Sequence, residues 1–183
     1  MKKIYTGKGD TGTTSLSDGT RISKAHPQVA AYGKTDELIS WLGMIRSRPE
    51  LSSDPILQGI DSSLRTVQVH LMHLAGMLAS ANPAHQPVYD FTTAVDFLEK
   101  STDELQTRTP KLKSFILPYK PEISAQIHVA RTICRETERH MVALGTDIVN
   151  AHMLTYINRL SDYLFVLSRF ITVETGCKED FFL

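Results

Sequence analysis

Two stretches of the chain carry residue types able to do chemistry. The first is KIYTGKGDTGTTSLSDGTRISK, Lys3 to Lys24, in which Gly7, Gly9 and Gly12 sit at G-x-G-x-x-G spacing among Thr6, Lys8, Asp10, Thr11, Thr13 and Thr14. Closely spaced glycines let successive backbone N–H groups converge on an anion, while the hydroxyls and Lys8 add donors and charge. A dinucleotide fingerprint joins a buried strand to a helix N-terminus. Here the short KIYT is the only strand candidate, and TTSLSDGT starts a helix badly. A Walker A loop requires Lys-Ser/Thr after its second glycine, where this chain has Thr13-Thr14. Two readings stay open: a polyphosphate cradle outside both of those folds, or a tail rich in turn residues.

The second stretch is ARTICRETERHMVAL. On a helix Arg131, Arg135, Glu138 and Arg139 fall at i, i+4, i+7 and i+8, on one face opposite the apolar positions. Three guanidiniums in line can fork onto the oxygens of a triphosphate. The same stripe is also what a solvated face laced with ion pairs looks like. Further along, Asn158, Arg159 and Asp162 interrupt the apolar pattern of YINRLSDYLF, and Asp36 and Glu37 interrupt AYGKTDELISWLG. Either set is an expected partner of the arginines, within the chain or across a subunit boundary.

The elements that position these residues are helices. Apolar residues recur at three- and four-residue steps over five segments: Pro27 to about Arg46, near Ser53 to Leu78 with Pro55 in its first turn, Thr92 to about Gln106, Glu122 to Leu144, and about Ile148 to Glu174. Gly176 is a plausible stop for the last. Trp41, Ile56, Met72, Met77, Met141 and Cys134 read as core residues on these stripes. Strand alternation is nearly absent. Short connections make an all-α, antiparallel five-helix bundle of ferritin-like, up-and-down type the natural packing, with residues 27–176 in the bundle and residues 1–26 as an N-terminal loop. His26, His85 and His152 fall at loops and helix ends and read as surface residues.

At 183 residues the chain fits one domain, residues 1–183. Twenty basic and twenty acidic residues cancel, which excludes the net positive field of a nucleic-acid or anionic-membrane binder. No apolar run approaches the roughly 18 residues of a membrane helix, and no secretory leader opens the chain. A cytoplasmic, untargeted protein is the expectation. Cys134 and Cys177 lack the spacing of a zinc site or a disulfide framework, so no structural metal is expected.

Three separated stretches together match one family. TGKGDTGTTSL with RISK, AYGKTDELISWLG, and the pair ARTICRETER with YINRLSDYLFVLSR resemble the PduO-type ATP:cob(I)alamin adenosyltransferases over nearly the whole chain and in order. The resemblance implies a homotrimeric five-helix bundle with an ATP and corrinoid site between subunits. It implies transfer of the 5′-deoxyadenosyl group of ATP to the cobalt of reduced cobalamin, with Mg²⁺ and release of triphosphate. By the same resemblance the loop of Thr6, Gly7, Lys8, Gly9, Asp10, Gly12, Thr13 and Thr14 orders over the triphosphate with Lys24 nearby. Arg131, Arg135, Glu138, Arg139 and Asn158 take ATP-site positions. Asp36 pairs across the subunit boundary with Arg131, and Phe115 covers the lower corrin face. A reductase and an adenosylcobalamin-dependent acceptor enzyme are implied as partners.

The chain also departs from that family. SFILPYK carries Pro118-Tyr119-Lys120 where members commonly have Pro-Gly-Gly, Ser15, Ser17 and Asp18 replace a glycine-rich run, and His73 stands where an aspartate is usual. These departures fall more on corrinoid handling than on ATP binding. They keep open an ATP- or adenosylcobalamin-binding trimer with little turnover. A di-iron carboxylate protein of the same helix count needs Glu-x-x-His pairs on two helices, and the sequence has none.

Overall fold

The computed structural model describes residues 3–82, 84 and 87–182. Its helices are α1 (Pro27–Arg46), α2 (Glu50–Ser53), α3 (Gln58–Leu78), α4 (Phe91–Thr107), α5 (Glu122–Leu144) and α6 (Ala151–Glu174). Four short strands make two antiparallel pairs: β1 (Thr13–Ser15) with β2 (Arg21–Ser23), and β3 (Ile116–Leu117) with β4 (Asp180–Phe181). The five long helices form the bundle. α5 packs against both α1 and α6, α3 lies along α1, and α4 lies along α6. No helix among the described residues is long and apolar enough to cross a membrane.

Helix α6 is the axis of the core because it has more buried residues than any other helix described. Tyr156, Leu160, Tyr163, Leu164, Leu167 and Ile171 are buried along its length, each worth about 1.5–3 kcal/mol over an exposed position for an aliphatic side chain. On α3 the stripe Ile60, Leu64, Val67, Leu71, Leu74 and Leu78 is buried as its period requires. Cys134 is buried, donates from Sγ to the Ile157 carbonyl at 3.3 Å, and has its thiol pushed up by burial. Cys177 is half-buried just beyond α6, and both thiols are free.

Several boundaries and burials differ from the sequence expectations. The second helix does not run through Pro55: the Asp54 carboxylate accepts from Ile56 N at 2.8 Å, a local turn that competes with the helix. α2 therefore ends at Ser53, α3 starts at Gln58, and Ile56 is exposed. The last helix starts at Ala151 rather than Ile148, since Asn150 caps it by accepting from Met153 N at 3.0 Å. Met72 is 60% exposed, whereas Met77 and Met141 are buried. Trp41 is only half-buried and lines a shallow surface depression with Glu37, Ser40 and Met44. KIYT is not a strand; its place is taken by the β1–β2 hairpin. His26 is the N-cap of α1, accepting through Nδ1 from Gln28 N at 3.2 Å. His152 is exposed, and His85 lies outside the described residues.

The N-terminal stretch is thus no featureless tail. Leu16 at the hairpin turn is buried, and Ser17 donates both its N–H, at 2.9 Å, and its hydroxyl, at 3.1 Å, to the Ala79 carbonyl just past α3. The buried Gln28 amide ties the same corner to α1 by donating to the Leu78 and Ser80 carbonyls, both at 2.7 Å.

Candidate functional site

Helix α5 sets its charged face by periodicity alone. Arg131 and Glu138 are half-buried, and Arg135 and Arg139 are exposed. Among the described residues none of these three arginines forms an ion pair. Burial first, and the neighbouring Arg135 charge second, hold Arg131 below its ordinary value. A partly desolvated cation beside a like charge, as Arg131 is, carries an electrostatic cost that a bound anion removes. A solvated face laced with i,i+4 pairs would instead have matched these charges internally.

Asn158 meets Glu138 of α5 rather than one of its arginines. Asn158 Nδ2 donates to Glu138 Oε1 at 3.2 Å, and its Oδ1 accepts from Arg159 at 3.3 Å. Arg159 is held in turn by Glu99 of α4 at 2.7 Å and lies 3.7 Å from Asp162. The two contacts fix which way the Asn158 amide faces. Glu99 was not legible as a site residue, because it sits 60 residues away on another helix.

Asp36 and Arg131 are not brought together within the chain. Asp36 is exposed on α1 and forms no ion pair among the described residues; its backbone carbonyl accepts from Ser40. Its neighbour Glu37 pairs with Lys34 at 2.7 Å, and Lys34 also reaches Glu136 of α5 at 3.1 Å. That ion pair joins α1 to α5 and leaves Asp36 outward.

The glycine stretch is a string of tight turns leading into the hairpin. Asp10 N donates to Gly7 O and Gly12 N to Gly9 O, both at 3.3 Å. The N–H convergence expected from the spacing is therefore not in place for Asp10 and Gly12. Gly12 has φ +80°, which side-chain-bearing residues rarely adopt. Lys24 N donates to Gly12 O at 2.9 Å, and its Nζ lies 3.4 Å from where a Cβ on Gly9 would stand. Lys24 thus stands against the loop as expected. Arg21 is the residue sequence reasoning missed: it donates to Lys8 O at 2.7 Å, to Ser15 Oγ at 3.3 Å and to Thr13 Oγ1. One guanidinium pins three points of the loop, and its place in the RIS strand was the available signal. Thr6 Oγ1 accepts from Lys8 N at 3.4 Å, while Thr14 pairs with Ile22 across the hairpin.

Phe115 is 82% exposed, a large aromatic ring offered to solvent. Its backbone is clamped by the C-terminal segment: Phe182 N donates to Phe115 O at 2.8 Å, and Ser114 Oγ to Phe182 O at 2.7 Å. The clamp is anchored by Arg169 and Glu179, both buried, 2.6 Å apart, with a second Arg169 nitrogen donating to Pro110 O at 2.7 Å. In the segment that departs from the family pattern, the Lys120 ammonium lies 5.0 Å from the centre of the Tyr119 ring. His73, the other departure, stacks on Tyr89 at 4.0 Å.

A helical bundle presenting unpaired arginines along one helix, with a pinned glycine turn and an exposed aromatic on separate loops, defines a candidate anion site. Comparison with known proteins narrows it. The family model described as cobalamin adenosyltransferase matches residues 4–171, and the chain belongs to that family. It is 40% identical over 169 residues to the corrinoid adenosyltransferase PduO of Citrobacter freundii, covering 91% of this chain and 49% of that protein. The chain thus spans about half the length of that relative. It is 38% identical over 176 residues to the corrinoid adenosyltransferase of Bacillus subtilis (strain 168), covering 95% and 89%. Among solved structures, a variant PduO-type ATP:corrinoid adenosyltransferase from Lactobacillus reuteri, complexed with cobalamin and ATP, superposes with a TM-score of 0.90 at 32% identity, covering 98% of this chain and 99% of that one.

Proposed function

We propose that the chain transfers the 5′-deoxyadenosyl group of ATP to the cobalt of cob(I)alamin or a related corrinoid, releasing triphosphate. The observation that carries this reading is the row Arg131, Arg135 and Arg139, without ion pairs among the described residues, beside the oriented Glu138–Asn158 contact. Cobalt(I) of the substrate brings its own electron pair. It bonds to C5′ as the C5′–O bond breaks, and triphosphate leaves with that bond's electrons. No proton moves, so no side-chain base is needed; the chain's part is to place two reactants and to stabilise the charge on the leaving group. Arg131 and Arg135 serve that charge, and Arg139, Glu138 and Asn158 hold the nucleotide. Thr6, Gly7, Lys8, Gly9, Asp10, Gly12, Thr13, Thr14 and Lys24 close over the triphosphate. Phe115 lies against the corrin.

Among the described residues no group of three His, Cys, Asp or Glu side chains could hold a metal ion. Mg²⁺, in this proposal, enters as a counter-ion carried by the phosphates. The site is completed in a homotrimer, where Asp36, exposed and without an ion pair among the described residues, meets Arg131 of a neighbouring subunit. Two free cysteines fit a reducing cytoplasm, where a reductase supplies cobalt(I) and an acceptor enzyme takes the product.

A second reading is a trimer of the same fold that binds ATP or adenosylcobalamin without efficient turnover, favoured by the Tyr119–Lys120 pair on the corrinoid-side segment. An anaerobic assay with chemically reduced cobalamin, Mg²⁺ and ATP separates the two. Loss of cobalt(I) absorbance with a light-sensitive alkylcobalamin and stoichiometric triphosphate supports transfer. ATP binding without product supports the second reading. A sedimentation mass equal to one chain counts against a site shared between subunits.

A further inference from the structure

His128 has no part in the chemistry described above, yet it is buried and lies one turn before Arg131 on α5. Its Nε2 is 3.0 Å from Ser168 Oγ of α6. That hydroxyl donates its single proton to the Phe165 carbonyl at 2.7 Å. It can therefore only accept from the imidazole, which places the ring proton on Nε2 and leaves Nδ1 with a lone pair. The lone pair faces Arg131, whose Nε donates to it over 3.4 Å. Burial, and then the Arg131 charge, push His128 down to about 4, so the ring is neutral at ordinary pH.

The position of Ser168 is itself fixed. Ser124 donates to the Ser168 carbonyl at 2.8 Å, and the Thr172 hydroxyl, with one proton to give, lies 2.9 Å from that carbonyl and 2.8 Å from Ser124 Oγ. Ser124, Thr172 and His128 line a cleft together with Pro118, Tyr119 and Lys120. His128 thus spans two surroundings: the rigid α5–α6 seam on one side and a phosphate-facing guanidinium on the other.

The geometry points to His128 as a positioning residue for Arg131: a neutral imidazole with a determined tautomer that holds the guanidinium by Nε and leaves its two terminal nitrogens to fork onto triphosphate oxygens. This rests on the reading of the α5 face as an ATP site. A half-buried guanidinium that has one nitrogen tethered loses less freedom when its fork closes on a ligand. A carboxylate at position 128 would tether Arg131 more tightly, but would cancel the charge the ligand needs. A neutral acceptor orients without neutralising.

Two substitutions separate the functions of the two ring nitrogens. The oxygen of Asn in His128→Asn falls near Nδ1, so it keeps an acceptor for Arg131 and gives up Ser168. The amide nitrogen of Gln in His128→Gln falls near Nε2, so it keeps Ser168 and withdraws the acceptor. ATP affinity is measured by titration calorimetry on the intact protein with Mg²⁺, together with the melting temperature. The expected result is a loss of about tenfold for His128→Gln and of no more than about threefold for His128→Asn. In an Arg131→Ala background the His128→Gln loss disappears, because its route of action is gone. Equal losses for Asn and Gln, or a Gln loss undiminished without Arg131, overturn the inference and leave His128 a seam residue only. A wild-type chain that binds no ATP overturns the nucleotide-site reading as well, which distinguishes the two failures.

Discussion

The α5–α6 face and the Ser114–Lys120 segment solve the same problem, presenting a side chain to a ligand, in opposite ways. On α5 the backbone needs no outside help: helical spacing puts Arg131, Arg135, Glu138 and Arg139 on one face, and Asn158 arrives from the adjoining helix. The Phe115 segment has no regular element beyond a two-residue strand and borrows its rigidity from the far end of the chain, through β4 and the Arg169–Glu179 pair. A site on helices survives local change because its scaffold is the core. A site on a loop is only as fixed as its most distant contact.

This contrast can be broken experimentally, starting with the largest effect. Arg135→Ala removes an exposed charge without an ion pair among the described residues, so on the proposed function adenosyl transfer falls by about 10²–10³ while the melting temperature stays within a degree or two. A comparable loss of stability would show the arginine to be structural instead. Glu179→Ala leaves the Arg169 guanidinium buried without its partner and costs about 3–5 kcal/mol of folding stability, read from urea midpoints. Its activity signature is a raised corrinoid KM with the ATP KM nearly unchanged, since the clamp holds the Phe115 segment and not α5.

Smaller effects sharpen the comparison. Gly12→Ala forces a residue with a Cβ into φ +80°, a local strain of about 1–2 kcal/mol. Because the hairpin sits outside the main core, this weakens ATP binding by up to about tenfold while global unfolding moves little. The pH response is gentler still. The neutral forms of His128 and His70 are favoured by burial, so both sit below the ordinary imidazole value when folded. Above about pH 6.5 the folded and unfolded chains are alike in protonation at these rings. Below it the unfolded chain takes up protons the folded one refuses, so the stabilisation is lost as pH falls toward 4. Comparing urea midpoints at pH 7 and 5 for wild type and His128→Asn should show a shallower fall in the variant.

The bundle was legible in the sequence wherever one period and one face sufficed. The stripe from Ile60 to Leu78, the face from Arg131 to Arg139 and the stop at Gly176, with φ +71°, follow from spacing and from glycine's freedom. Misplaced details share a cause, since local side-chain-to-backbone hydrogen bonds decide ends that periodicity leaves loose: the Asp54 turn displaced the start of α3, and the Asn150 cap that of α6. What stayed illegible is non-local. The Ser17–Ala79 tether, the Arg159–Glu99 pair and the Phe182–Phe115 clamp join residues about 60 or more positions apart, and no short-range pattern announces them. The half-buried Trp41 was read as core and the exposed Met44 passed over, because an apolar stripe does not say how deeply each of its members is covered.

The two cysteines offer a practical handle on the clamped region. Cys134 is sealed in the core beside Ile157, whereas Cys177 is half-buried at the root of the C-terminal segment, its N–H donating to the Thr172 carbonyl at 3.0 Å. A maleimide dye added to the native protein therefore labels one position, without any engineered thiol. That position lies only a few residues from both Glu179 and β4. On the proposed function, fluorescence from the single dye would report whether adding a corrinoid changes the surroundings of the segment behind Phe115.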